Sequence, residues 1–153
     1  MKKILFLLVT LIWTGLSVVQ AQIIEEKNGL YMWDGKPYSG MYVGTYENGN
    51  TKFSLHLKDG LKDGEMRSFF DNGKLKEIRH YEKGEKDGEW ISYNEQGIKV
   101  GLANYSVGQK NGDWKVWNDG GTLIYEMTYA AGKRIGKWNC YNEKGELISS
   151  REF

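Results

Sequence analysis

Proline occurs once in the 153 residues, at Pro37, cysteine once, at Cys140, and histidine twice, at His56 and His80. A lone cysteine forms no intrachain disulfide, so covalent stapling is excluded as a source of stability. Neither sign of charge dominates. Without Lys2 and Lys3, 19 basic residues stand against 20 acidic ones, spread evenly along the chain, so nucleic-acid binding lacks its electrostatic footprint. No apolar run reaches the ~20 residues of a membrane-spanning helix. The longest, residues 4–16, follows Met1-Lys2-Lys3 and precedes Val19-Gln20-Ala21. That pattern reads as a signal peptide over residues 1–21, cut before Gln22, with the periplasm or the cell exterior as destination. Also missing are a phosphate-cradling glycine loop, a nucleophile elbow and a metalloprotease motif.

Glycine, by contrast, is abundant and periodic. Gly40, Gly64, Gly88, Gly112 and Gly136 form one column at 24-residue spacing; Gly49, Gly73, Gly97, Gly121 and Gly145 form another, and Gly60, Gly84, Gly108 and Gly132 a third. Large apolar side chains share the period, in the columns Tyr42, Met66, Trp90, Trp114, Trp138 and Leu57, Tyr81, Tyr105, Tyr129, Phe153. Such self-similarity marks a repeat array.

Each unit carries two turn signals. Lys62-Asp63-Gly64, Lys86-Asp87-Gly88, Lys110-Asn111-Gly112 and Arg134-Ile135-Gly136 suit a two-residue hairpin connection. Asp71-Asn72-Gly73, Glu95-Gln96-Gly97, Asp119-Gly120-Gly121 and Glu143-Lys144-Gly145 suit a longer loop closed by a left-handed glycine. The segments between are rich in Trp, Tyr, Ile and Val and too short for helices. Connections this short exclude parallel pairing. The expected fold is therefore all-β: an elongated antiparallel meander of five 24-residue β-hairpin repeats over residues 40–153, forming an open twisted sheet. Residues 22–39, with Asn28-Gly29 as turn, are expected to form an N-terminal capping hairpin, because a terminal unit has only one neighbour. The first unit is irregular, with Gly35 one place early and the only proline.

Trp90 and Tyr93, Trp114 and Trp117, and Trp138 and Tyr141 are each three residues apart. In an ideal strand such pairs face opposite sides, so either a bulge corrects the parity or both faces carry rings. Most such rings are expected to pack on their counterparts in neighbouring units. These six residues are also the candidate binding surface, as a line of aromatic side chains for docking. Leu123, Tyr125, Met127 and Tyr129 alternate with polar or bulky neighbours and predict one greasier face.

His56 and His80 share a repeat position, which invites a metal site, but equivalent positions one hairpin apart lie ~9.5 Å from each other. Ligands of one zinc must lie within about 4 Å of each other, so no metal and no cofactor is expected. Asp71, Glu95, Asp119 and Glu143 are read as acceptors of backbone hydrogen bonds within their turns, and Cys140 as a small filler. No catalytic residue is assigned, because repetition argues against a unique active site.

The pattern Gly-x3-Gly-x-Trp-x2-Tyr-x3-Gly-x-Leu, with an aromatic residue eight places after its last Gly, resembles the bacterial MORN-repeat variant. Its best copies span residues 84–105, 108–129 and 132–153; the first unit lacks the leading Gly, and Lys99 stands where Leu75, Leu123 and Leu147 stand elsewhere. The resemblance implies a β-hairpin repeat fold and a non-enzymatic interaction scaffold. Some bacterial members are labelled antitoxin components, and the related eukaryotic repeats are associated with membrane contact. Another protein is thus the expected partner, with an immunity-like role joining the antitoxin label to export. The last strand, residues 146–153, is expected as a free edge guarded by Glu146, Arg151 and Glu152. The alternative is a carbohydrate or cell-wall binding module in which Trp90, Trp114 and Trp138 stack on sugar faces.

Overall fold

The structure, a computed structural model, describes residues 24–153. The signal peptide read over residues 1–21 and the first two residues of the cap lie outside them. Among the described residues there are fifteen strands and no helix. The cap supplies β1 (Glu25–Lys27), β2 (Leu30–Trp33) and β3 (Lys36–Pro37), which pair as a small antiparallel sheet. The array begins with β4 (Gly40–Thr45), β5 (Thr51–Lys58), β6 (Leu61–Phe69) and β7 (Leu75–Glu82). It continues through β8 (Glu85–Lys86), β9 (Gly88–Tyr93), β10 (Lys99–Ser106), β11 (Gln109–Lys110) and β12 (Gly112–Trp117). It ends with β13 (Leu123–Ala130), β14 (Lys133–Tyr141) and β15 (Leu147–Glu152). These pair in sequence order from β4 to β15 as one antiparallel meander that does not close, with the stubs β8 and β11 beside β7 and β10.

The two-residue connections lie elsewhere than the Asp-Gly and Asn-Gly signals suggest. The left-handed pairs are Asp59-Gly60, Lys83-Gly84, Val107-Gly108 and Ala131-Gly132, with φ of 45–51° at the first residue and 74–87° at the glycine. Two consecutive positive φ values make the type I′ turn whose twist suits a hairpin. Asp63-Gly64, Asp87-Gly88 and Asn111-Gly112 fall four residues later, within β6 or at the junctions of β8 with β9 and of β11 with β12, at a bulge. Between the pairs Ile78↔Ile91 and Tyr81↔Lys86, two residues on β7 oppose four on the other strand. The bulge places the Asp or Asn side chain over the next unit's turn. Asp63 accepts from the Lys83 amide at 3.2 Å, Asp87 from Val107 at 3.4 Å and Asn111 from Ala131 at 3.3 Å. The amide of each turn glycine is also satisfied across units: Gly84 donates to the Lys62 carbonyl, Gly108 to Lys86 and Gly132 to Lys110, at 2.8–2.9 Å. Successive hairpins are thereby bolted together through donors that strand pairing would leave open.

The longer loops form as expected, each with a glycine at φ 79–85°. Their acidic residues do not accept the turn's hydrogen bonds. That role falls to a neighbouring asparagine: Asn94 Oδ1 accepts from the Gln96 and Ile98 amides, Asn118 Oδ1 from Gly120 and Thr122, and Asn142 Oδ1 from Lys144 and Glu146, at 2.9–3.1 Å. An amide side chain both accepts inside its own turn and donates outward, which a carboxylate cannot do. Asn94 Nδ2 accordingly reaches the Asp119 carbonyl of the next unit at 3.0 Å.

A sheet one layer thick has little interior. Leu55 and Leu57 are the only buried hydrophobic side chains among the described residues, and most other large side chains are half-covered by cross-strand neighbours. The cap lies against this end of the array. The Tyr31 amide donates to the Gly60 carbonyl and the Gly60 amide to Tyr38, while the Tyr31 ring stands 6.0 Å from Tyr42.

Candidate functional site

Strand pairing settles which way the rings point. After Ser68, Ser92, Val116 and Cys140 the register slips by one, and the extra residue sits on the second strand, at Lys76, Val100, Ile124 and Ile148. The first strands keep their alternation, so Trp90, Trp114 and Trp138 occupy one face and Tyr93, Trp117 and Tyr141 the other. Both faces carry rings, and the six candidate residues form two surfaces instead of one. The bulge at Ile124 also turns Leu123 to the side opposite Tyr125, Met127 and Tyr129, so the alternation expected for that strand breaks at its start.

On the first face the rings form one continuous row. Tyr81, Trp90, Tyr105, Trp114, Tyr129, Trp138 and Phe153 follow one another with centroids 4.8–5.3 Å apart, inclined by 50–65°. Inclined pairs at this separation are favourable for ring quadrupoles. Each indole N–H is anchored to the backbone of the preceding strand: Trp90 donates to the His80 carbonyl, Trp114 to Asn104 and Trp138 to Thr128, at 3.0–3.1 Å. Burial beside these rings pushes the Tyr105 hydroxyl above its ordinary range.

A column of cations, not singled out from the sequence, lies over this row. Lys62 stands over Tyr31 and Tyr81, Lys86 over Trp90 and Tyr105, Lys110 over Trp114 and Tyr129, and Arg134 over Trp138 and Phe153, 4.1–5.8 Å from the centroids. The signal was present as a Lys or Arg two residues before Gly64, Gly88, Gly112 and Gly136 of the first column. A stack of sugar on Trp90, Trp114 or Trp138 would need a free ring face, and at each position two neighbouring rings and a cation already crowd it. Arg79, also over Trp90, is held at 2.7 Å by Glu77. Burial opposes its charge, and Glu77 outweighs the burial and raises its pKa.

The opposite face is more polar. Lys115 and Glu126 pair at 2.9 Å, and Tyr141 Oη donates to Glu126 at 3.3 Å. The hydrogen bond from Lys115 is the main reason the Glu126 carboxyl lies below the usual carboxylate range. Lys99, which replaces leucine in its repeat position, covers the Trp117 ring at 5.2 Å. His56 and His80 each direct Nδ1 to a backbone carbonyl at the bulge, Asp63 at 3.2 Å and Glu89 at 2.9 Å, and His80 Nε2 lies 3.5 Å from Glu65. Among the described residues no cluster of His, Cys, Asp and Glu is arranged to hold a metal ion. Cys140 is half-buried and pairs across the sheet with Tyr125 and Ser149.

No curated protein matches the chain. Residues 62–83 and 110–131 match the family described as MORN repeat variant. Each matched segment runs from a cation of the row to the first left-handed residue of the next turn, so it is one structural unit with its clamp. By these two matches the chain carries MORN-variant repeats at residues 62–83 and 110–131, and the units between and around them share the same 24-residue spacing.

Proposed function

We propose that the chain is a non-enzymatic scaffold that binds another protein, exported by the segment at residues 1–21 and acting in the periplasm or outside the cell. The observation that carries this reading is the periodic array: a sheet one layer thick presents the same ring, cation and turn groups once per hairpin, so an elongated partner meets the same contacts repeatedly. Repeat solenoids use extended surfaces in this way. The MORN repeat family, as a group of interaction repeats, supports a binding role. An immunity-like role against an exported toxin combines the leader pattern with the antitoxin label some members of the resembled family carry. Crosslinking in the envelope of the native host, followed by mass spectrometry of what co-purifies with the tagged chain, tests the reading. A near-stoichiometric protein is expected, and recovery of glycan or lipid without protein would overturn it. For the immunity-like role, deleting the gene should sensitise cells to one toxin, and unchanged survival would remove that part.

A further inference from the structure

Lys62, Lys86, Lys110 and Arg134 form a line of positive charge across a chain whose overall charge is close to neutral. Among the described residues none of the four has a carboxylate within ion-pair distance, whereas Arg67, Arg79, Lys83 and Lys115 all do. Lys86 and Arg134 are exposed, and Lys62 and Lys110 half-exposed. Stacking on two rings holds each cation in place, so little side-chain freedom remains to be lost on meeting an anion. Successive cations are two strand spacings apart, ~9.6 Å.

We propose that this row docks a polyproline II segment of a partner protein that carries Asp or Glu at every third position. The inference rests on the protein-partner reading and supplies the partner's chemistry. A polyproline II helix has three residues per turn and rises ~3.1 Å per residue, so every third side chain lies on one side at ~9.3 Å intervals. Over four cations the mismatch with the row accumulates to only about 1 Å. An α-helix with acidic residues seven apart repeats at ~10.5 Å and drifts by about 3 Å over the same span. A β-strand returns to one face every ~6.8 Å and meets alternate cations poorly. Proline at the intervening positions fixes φ near the polyproline II value, so the segment is already in the docking conformation and loses little freedom on binding.

The test is fluorescence anisotropy of the purified chain with a labelled peptide of four Glu-Pro-Pro triplets. Its comparison is a peptide of the same composition with the glutamates in one block. The periodic peptide is expected to bind about tenfold more tightly. The double variant Lys86→Gln/Lys110→Gln should weaken it by a similar factor, and Lys86→Arg/Lys110→Arg should retain it. Equal affinity for the two peptides, no binding of either, or an unaffected Gln variant would overturn the proposal. Should the Gln variant fail to fold, the peptide comparison and the Arg variant still decide. Envelope crosslinking separates the two readings: a protein partner captured equally by wild type and Gln variant overturns the row as docking surface and leaves the scaffold standing. Capture of no protein by wild type brings down the scaffold itself.

Discussion

Trp114 lies in the middle of the ring row, and replacing it by alanine should be among the most damaging single changes in the array. Its ring stands 5.3 Å from both Tyr105 and Tyr129, its indole N–H donates to the Asn104 carbonyl at 3.0 Å, and Lys110 lies 4.1 Å above it. Each ring pair contributes ~0.5–1.5 kcal/mol beyond area burial. The hydrogen bond contributes about 1 kcal/mol, and the stacked cation ~0.5–1 kcal/mol. Together with the apolar area lost, Trp114→Ala should cost about 3–5 kcal/mol, the range for truncating a large aromatic side chain. Trp114→Phe keeps a ring in the row and loses chiefly the hydrogen bond. The Asn104 carbonyl keeps the Asn111 amide at 2.9 Å, so no acceptor is orphaned and the cost should stay near 1 kcal/mol. Urea unfolding followed by circular dichroism measures both, with exposed Lys137→Ala as reference, expected within ~0.5 kcal/mol of wild type. If Trp114→Ala lies within 1 kcal/mol of that reference, or if phenylalanine is as damaging as alanine, the ring row is not what holds adjacent hairpins together.

Gly112→Ala forces a left-handed φ of 87° on a residue with a side chain and brings its Cβ to 3.3 Å from the Asn104 Cβ, whereas at Gly136, with φ 62°, nothing lies within 4 Å. Both should destabilise by about 1–3 kcal/mol through backbone strain, Gly112→Ala by the larger amount; equal melting temperatures for the two would refute the crowding argument. Asp87→Ala removes the acceptor for the Val107 amide and should cost about 1 kcal/mol, while Asp87→Asn should be nearly neutral because Asn111 does the same work one unit later. The Glu126 carboxyl has a folded-state pKa below its unfolded value. Its stabilisation is therefore present above the unfolded pKa and lost as pH falls through the folded one. Glu126→Gln should flatten the acid limb of the stability curve below about pH 4.5, and an unchanged limb would refute the linkage.

The repeat and its strand content were legible because glycine and aromatic spacing report periodicity directly. Placement within the unit was less legible. Asp-Gly is the stronger local hairpin signal, yet Lys83-Gly84 and Val107-Gly108 form the turns, because turning there leaves Asp87 and Asn111 free to clamp the neighbouring unit. That advantage exists only between hairpins and leaves no local trace. The ring parity was likewise left open by spacing alone, since a bulge on either strand would fit Trp90 and Tyr93. Its location on the second strand, at Val100 and Ile124, is a matter of cross-strand register.

By itself the sequence determined the period, the antiparallel meander, the left-handed glycines of the longer loops and the columns from which the rings come. Each follows from local geometry: allowed φ values, strand alternation and connections too short for crossovers. Tertiary structure decided which face each ring occupies, that Lys62, Lys86, Lys110 and Arg134 lie over the rings, and that the clamps run between units. Those outcomes depend on register across strands, where a shift of one residue sends a side chain to the other face.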